Sequence, residues 1–245
     1  MRWKCTCSYD GTEYAGWQKQ PNKLSVQQVI EDVLGKLFKS PAGIQGSGRT
    51  DAGVHALEQV FHFDRDWKHG GEALVKALRA LLPKSIRVES AVAVGDDFHS
   101  RFSAVSKRYQ YRLKLGEADP FRWPYCWEVP ASLNLNLVEA AMGRLVGKHD
   151  FAAFAASRGA GLEYESTVRH ITNARLTQDS ECVTLSFQAD GFMYKMVRSL
   201  AGTVVNVGLG RLALDDVDTL LESKERIPLV QAAPARGLFL EKVFY

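Results

Sequence analysis

The chain has 245 residues, 46% of them hydrophobic and 24% charged, which suits a globular protein of one large domain or two small ones. No apolar run approaches the ~20 residues that cross a bilayer as a helix, and no membrane partner is expected. The net charge of +3 permits an anionic partner without demanding one.

Met1-Arg2-Trp3-Lys4 leads straight into a strand pattern without the apolar core of a signal peptide. Cys5, Cys7, Cys126 and Cys182 form neither a Cys-x-x-Cys pair nor a disulfide-like spacing, and Cys5 and Cys7 fall on one face of one strand as reduced core thiols. Both features point to the cytoplasm.

From Met1 to Tyr9, Trp3, Cys5, Cys7 and Tyr9 alternate with Lys4, Thr6 and Ser8, which predicts a half-buried strand ended by the turn pair Asp10-Gly11. Ser25-Val26-Gln27-Gln28 has the form of a capping box. It opens a helix whose apolar face is Val26, Val29, Ile30, Val33, Leu34 and Leu37. The stretch from Gly46 to His55 holds three glycines in its first eight residues, with Arg49, Thr50 and Asp51 between them. It reads as a tight loop anchored by a following strand, Gln59–Phe63. Without a Gly-Lys-Ser/Thr ending it is not a Walker phosphate loop. An Asp held beside an Arg is a candidate nucleophile or charge stabiliser, and equally a turn-capping Asp paired with Arg49.

A helix is predicted over Gly71–Leu82, stopped by Pro83, then a strand over Ser85–Val94. A polar loop, 95–102, leads to a strand over Lys107–Leu115, and Gly116–Pro130 reads as an irregular excursion. Asn136 with Glu139 caps a helix to about Val146, and Phe151–Tyr164, rich in Ala and Gly, reads as a mobile loop. Thr167–Leu176 and Cys182–Ala189 form a hairpin, Phe192–Val207 a helix closed by Gly208, Leu214–Glu222 a short helix, and Gly237–Tyr245 the last strand. The expected class is α+β: two similar α/β halves with mixed or antiparallel sheets facing a central cleft, divided as 1–104 and 105–245. His55, His62 and His99 lack metal-ligand spacing and read as core or hydrogen-bonding residues, so no metal is expected. Gly208–Ala213 has the outline of a dinucleotide fingerprint, but it follows a helix instead of a strand.

Gly48-Arg49-Thr50-Asp51-Ala52-Gly53-Val54-His55-Ala56 resembles, over nine consecutive residues, the signature loop of the tRNA pseudouridine synthase A family. Further stretches are similar in order along the chain. They are Tyr9–Gln18, Asp97–Ala104, Lys107–Tyr111, Met196-Val197-Arg198 with Gly202 and Gly208, and Gly237–Leu240. The family's second RNA-contacting segment has no clear counterpart in Ser157–Ser166, and Thr167-Val168-Arg169 recovers the register.

The resemblance implies the pseudouridine synthase fold and an isomerase that converts uridine to pseudouridine in the anticodon stem-loop of tRNA. It implies tRNA and a second copy of the chain, in a homodimer, as partners. Asp51 is implied as the catalytic nucleophile, Arg198 as its ionic partner, and Tyr109 as the residue stacked on the target base. The loop Phe98, His99, Ser100, Arg101 and Phe102 is implied to contact RNA, with Arg101 assisting base flipping. Arg49, beside the nucleophile, has a planar guanidinium suited to the same task. The reaction moves one bond within a nucleotide and requires no redox step, so no cofactor is expected. An RNA-binding protein or chaperone that has kept the fold without catalysis is the alternative, and a metal-free hydrolase acting on a small substrate is a second one.

Overall fold

A computed structural model of the chain describes residues 1–157, 164–180 and 182–245. In chain order the elements are β1 (Arg2–Tyr9), α1 (Val26–Phe38), β2 (Gln45–Gly46), β3 (His55–Asp64), α2 (Gly70–Leu81), β4 (Ile86–Val94), β5 (Ser106–Leu115), β6 (Trp127–Val129), α3 (Leu135–Arg144), β7 (Gly147–Asp150), β8 (Val168–Gln178), β9 (Val183–Ala189), α4 (Met196–Gly208), α5 (Asp215–Ser223) and β10 (Leu238–Phe244). The fold is mixed α/β, and the chain divides into two compact units. The first is Met1–Val105 with Phe239–Tyr245, the second Ser106–Leu238. A division in sequence at 104/105 counts the closing strand with the C-terminal half. In the structure that strand belongs to the first unit, where it lies parallel to β3 (Phe239 opposite His55, Leu240 opposite Ala56).

In the first unit the sheet order is β4-β1-β3-β10, with β2 added antiparallel to β3. The alternation read from Met1–Tyr9 is realised: Trp3, Cys5, Cys7 and Tyr9 are buried and the residues between them are not. Cys5 and Cys7 are free thiols, and burial alone pushes the Cys5 thiol up to about 12, so it stays protonated and acts as a small apolar group. Phe61 and Phe63 stand opposite Cys5 and Trp3 on that face. Above them α1 buries Val26, Ile30, Val33 and Leu34. Ser25 caps α1 by accepting from the Gln28 amide, as a capping Ser does. Val29 and Leu37 lie at the margin of the stripe and are only half-buried.

In the second unit the order is β5-β9-β8-β7, antiparallel throughout, with β6 parallel to β5. The predicted hairpin is β8–β9. The strand expected over Gln59–Phe63 runs from His55 to Asp64, its early residues paired with Tyr9 and Phe239, and three further differences have local reasons. The excursion 116–130 contains a 3-10 turn (Trp123–Tyr125) and β6; three residues are too few to show a period, and the strand exists by pairing Leu113 with Trp127. The cap of α3 is Asn134, not Asn136: its side chain accepts from the Leu137 amide while its own amide donates to the Gly208 carbonyl. Helix α4 begins at Met196 instead of Phe192, because Lys195 takes a left-handed conformation (φ 57°) that a helix cannot continue through. The mobile-loop expectation for 151–164 falls partly outside the described residues, at 158–163; Ala152–Phe154 forms a 3-10 turn with Ala153 and Phe154 buried.

Candidate functional site

The loop between β2 and β3 carries Arg49 and Asp51, and its backbone is fixed from three directions. On the near side, the Ser47 amide donates to the Val60 carbonyl (2.7 Å) and its hydroxyl to Gln59 Oε1 (2.7 Å). The buried Gln59 amide returns a bond to the Gly48 carbonyl (3.1 Å). From β1, the Tyr9 hydroxyl meets the buried Thr50 hydroxyl at 2.8 Å. From the segment after β1, the Trp17 amide donates to the Thr50 carbonyl (3.1 Å) and the Gly53 amide to the Tyr14 carbonyl (3.3 Å). Gly53 turns the chain with φ 76°, and the Val54 amide closes the turn on the Asp51 carbonyl (3.1 Å).

This lacing leaves Thr50 and Val54 buried, Asp51 half-exposed between them, and Arg49 exposed. A carboxylate at the surface of an immobile backbone can meet a substrate without first paying for its own ordering. His55, at the start of β3, accepts from the Gly11 amide through Nδ1 (3.0 Å) and stacks on Phe239 at 4.6 Å. The Asp10 carboxylate also lies against this nitrogen, at 3.2 Å. The sequence reading of His55 as a core, hydrogen-bonding residue is realised. Tyr9 and Gln59 had no predicted role in the loop; their signal was weak, an inward Tyr at a strand end and a polar residue in an apolar strand.

The second group of candidates, Phe98 to Phe102, follows β4. Arg101 and Phe102 project: Phe102 is 77% exposed, with the Arg101 guanidinium 5.5 Å from its ring centre. His99 folds the loop back on itself, its Nδ1 accepting from the amides of Arg101 (3.1 Å) and Phe102 (3.3 Å). Phe98 and His99 set ring edges against His62 of β3 at 6.1 and 4.7 Å. Ser100 is fully buried and bonded to the protein through its amide, hydroxyl and carbonyl, which holds the loop in place. Its amide donates to His62 Nδ1 (3.2 Å), and its hydroxyl to the carbonyl of Gln45 (2.7 Å), the residue just before Gly46. The two loops of the first unit are thus tied at their bases.

In the second unit Tyr109, on β5, is 8% exposed and meets Phe192 edge-on at 5.3 Å. Arg198, in the first turn of α4, is half-buried; its Nε donates to the Ala233 carbonyl (2.7 Å), and the Ala233 amide donates back to the Arg198 carbonyl (3.0 Å). Among the described residues no His, Cys, Asp and Glu group has the arrangement of a metal site, and no helix is long and apolar enough to cross a membrane.

Burial, with help from His99 and Arg2, depresses the His62 imidazole to about 4 against the pull of Asp64. A histidine that resists protonation when folded but takes a proton near 6.5 when unfolded costs stability in acid. Its contribution is complete above about pH 6.5 and is lost as pH falls towards 4, up to about 3 kcal/mol. Denaturant unfolding across that range is expected to show the loss in the wild type and a flatter profile in His62→Gln. Equal slopes would remove His62 as the sensor.

The family described as tRNA pseudouridine synthase matches residues 6–103 and 141–245. Over 244 residues the chain is 42% identical to a tRNA pseudouridine synthase A of Exiguobacterium sibiricum, covering all of this chain and 96% of that one. It is 40% identical over 250 residues to the protein of the same name from Limosilactobacillus reuteri, with the same coverage. A tRNA pseudouridine synthase A 1 of Protochlamydia amoebophila is 39% identical over 245 residues, covering 99% of this chain and 96% of its own. Identity of this level over whole chains, together with the family match, leaves one assignment: the chain belongs to the tRNA pseudouridine synthase family.

Proposed function

We infer that the protein isomerises uridine to pseudouridine in the anticodon stem-loop of tRNA, with Asp51 as the nucleophile. The observation that carries this reading is the half-exposed Asp51 on a backbone fixed by Tyr9, Trp17 and Gln59. Isomerisation breaks the bond between the sugar's anomeric carbon and N1 of uracil and forms one from the same carbon to C5. The proton lost from C5 is balanced by one gained at N1, so nothing is oxidised or reduced and no cofactor is consumed. A carboxylate that adds to the uracil ring or to the anomeric carbon keeps the fragments together while the base turns.

A paired uridine is out of reach inside a helix, so the base must be flipped out, at a cost of a few kcal/mol. The exposed Arg101 and Phe102, and Arg49 beside the nucleophile, are suited to fill the vacated stack, since guanidinium and aromatic planes both stack on bases. Stacking of Tyr109 on the target uracil, and ionic support of the nucleophile by Arg198, are roles carried by the motif match. Turnover of Tyr109→Ala and Arg198→Met tests them. Assembly as a homodimer and residence in the cytoplasm rest on the same resemblance; light scattering on the active enzyme tests the first and fractionation of cells the second.

The direct test is incubation of unmodified tRNA transcripts with the purified protein and no added cofactor, followed by pseudouridine mapping. Modification confined to uridines of the anticodon arm is the expected result. Transcripts that are bound but unmodified would favour the RNA-binding protein without catalysis.

A further inference from the structure

We propose that Tyr245 is a positioning residue for Arg101, acting through the peptide bond that joins Ser100 to Arg101. The proposal rests on the reading of Arg101 as a residue that assists base flipping. That peptide is held at both ends. Its carbonyl accepts from the Tyr245 hydroxyl (2.7 Å), and its amide, that of Arg101, donates to His99 Nδ1 (3.1 Å). With the Ser100 side chain and amide also bonded, to the Gln45 carbonyl and to His62, the plane leading into Arg101 has no freedom to turn. The direction in which the Arg101 side chain leaves the backbone is therefore set by partners 38 to 145 positions away in the chain.

Tyr245 is itself held in place. The Lys4 ammonium lies 3.9 Å from its ring centre, and the Phe98 ring 5.1 Å away, tilted by 47°. These contacts stand on the face of β1 opposite the buried Trp3, Cys5 and Cys7, and they leave Lys4 half-buried. Burial raises the Tyr245 phenol and lowers the Lys4 ammonium from their ordinary values, so at neutral pH the phenol keeps the proton it donates to Ser100. Nothing in the chain before Tyr245 announces this contact.

The test is a double-mutant cycle read under single-turnover conditions with enzyme in excess, so that tRNA binding does not limit the rate. Tyr245→Phe keeps the ring and its Lys4 contact and removes only the hydroxyl. It is expected to lower the isomerisation rate roughly three- to tenfold, in line with one lost hydrogen bond at a positioned group, with little change in melting temperature. Added to Arg101→Ala, which is itself slowed, Tyr245→Phe is expected to have no further effect, because the side chain it positions is gone. Equal slowing by Tyr245→Phe in both backgrounds would overturn the proposal, since the hydroxyl would then act by a path that bypasses Arg101. Slowing by Arg101→Ala with none by Tyr245→Phe would overturn it while leaving the Arg101 role intact. Arg101→Ala at the wild-type rate would remove the Arg101 reading and this proposal with it.

Discussion

Asp51→Ala is expected to abolish pseudouridine formation, by at least on the order of 10³-fold, while tRNA affinity changes no more than a few-fold. The two readouts separate because the roles are separate. The carboxylate forms the bond that keeps base and sugar together, whereas binding depends on cations and aromatic rings along the RNA path. The loop should keep its shape, because the bonds that lace it run through Ser47, Thr50, Gly53 and the side chains of Tyr9 and Gln59. Asp51→Asn preserves volume and hydrogen-bonding capacity but not nucleophilicity, so it should be as inactive as the alanine variant. Rates come from single-turnover assays and affinities from filter binding or fluorescence titration. Residual turnover by Asp51→Ala would assign the nucleophile elsewhere. An unchanged RNA-related phenotype in both variants would favour a protein that binds RNA without modifying it.

The sequence made legible what depends on near neighbours or on runs of pattern. Alternation placed the buried face of β1, and the 3.6-residue stripe placed α1, because each is a local consequence of burying one face. The nine-residue motif singled out the loop of Asp51 through its family resemblance, whereas glycine and charge content alone left a turn-capping Asp equally open. What escaped was set by contacts across long separations. Gln59 looks like a polar interruption in an apolar strand until its amide is seen bonding the carbonyl of Gly48. Tyr245 and Ser100 are 145 positions apart, and no local pattern encodes their pairing. Ser100 sits inside one of the resembling stretches, but its burial and its bonds to Gln45, His62 and Tyr245 could not be read from that stretch. Of the two asparagines near α3, Asn134 became the cap because the Gly208 carbonyl, far along the chain, holds its backbone amide.

Gly16→Ala is expected to damage stability and catalysis together, although position 16 carries no reactive group. Gly16 has φ 94°, a conformation that disfavours any side chain by ~1–2 kcal/mol. A Cβ there would lie 2.4 Å from the Thr50 carbonyl oxygen and 3.0 Å from the Asp51 carbonyl carbon. These are backbone atoms that cannot rotate aside, so the loop itself must move. Gly11 meets Val54 in the same way, with a Cβ 2.0 Å from its carbonyl oxygen, so the segment after β1 presses on both arms of the turn. Strain and lost contacts together should cost roughly 2–3 kcal/mol of stability. A shift of Asp51 by about 1 Å is enough to slow the reaction ~10²-fold. Gly210→Ala is the control: its φ of 68° brings similar strain, but nothing lies within 4 Å of the added Cβ. It should lose about 1 kcal/mol and keep its rate. Denaturant unfolding and single-turnover rates on both variants decide the matter. Should Gly16→Ala match Gly210→Ala in both measurements, the packing of residue 16 against the loop would have no bearing on how Asp51 is presented.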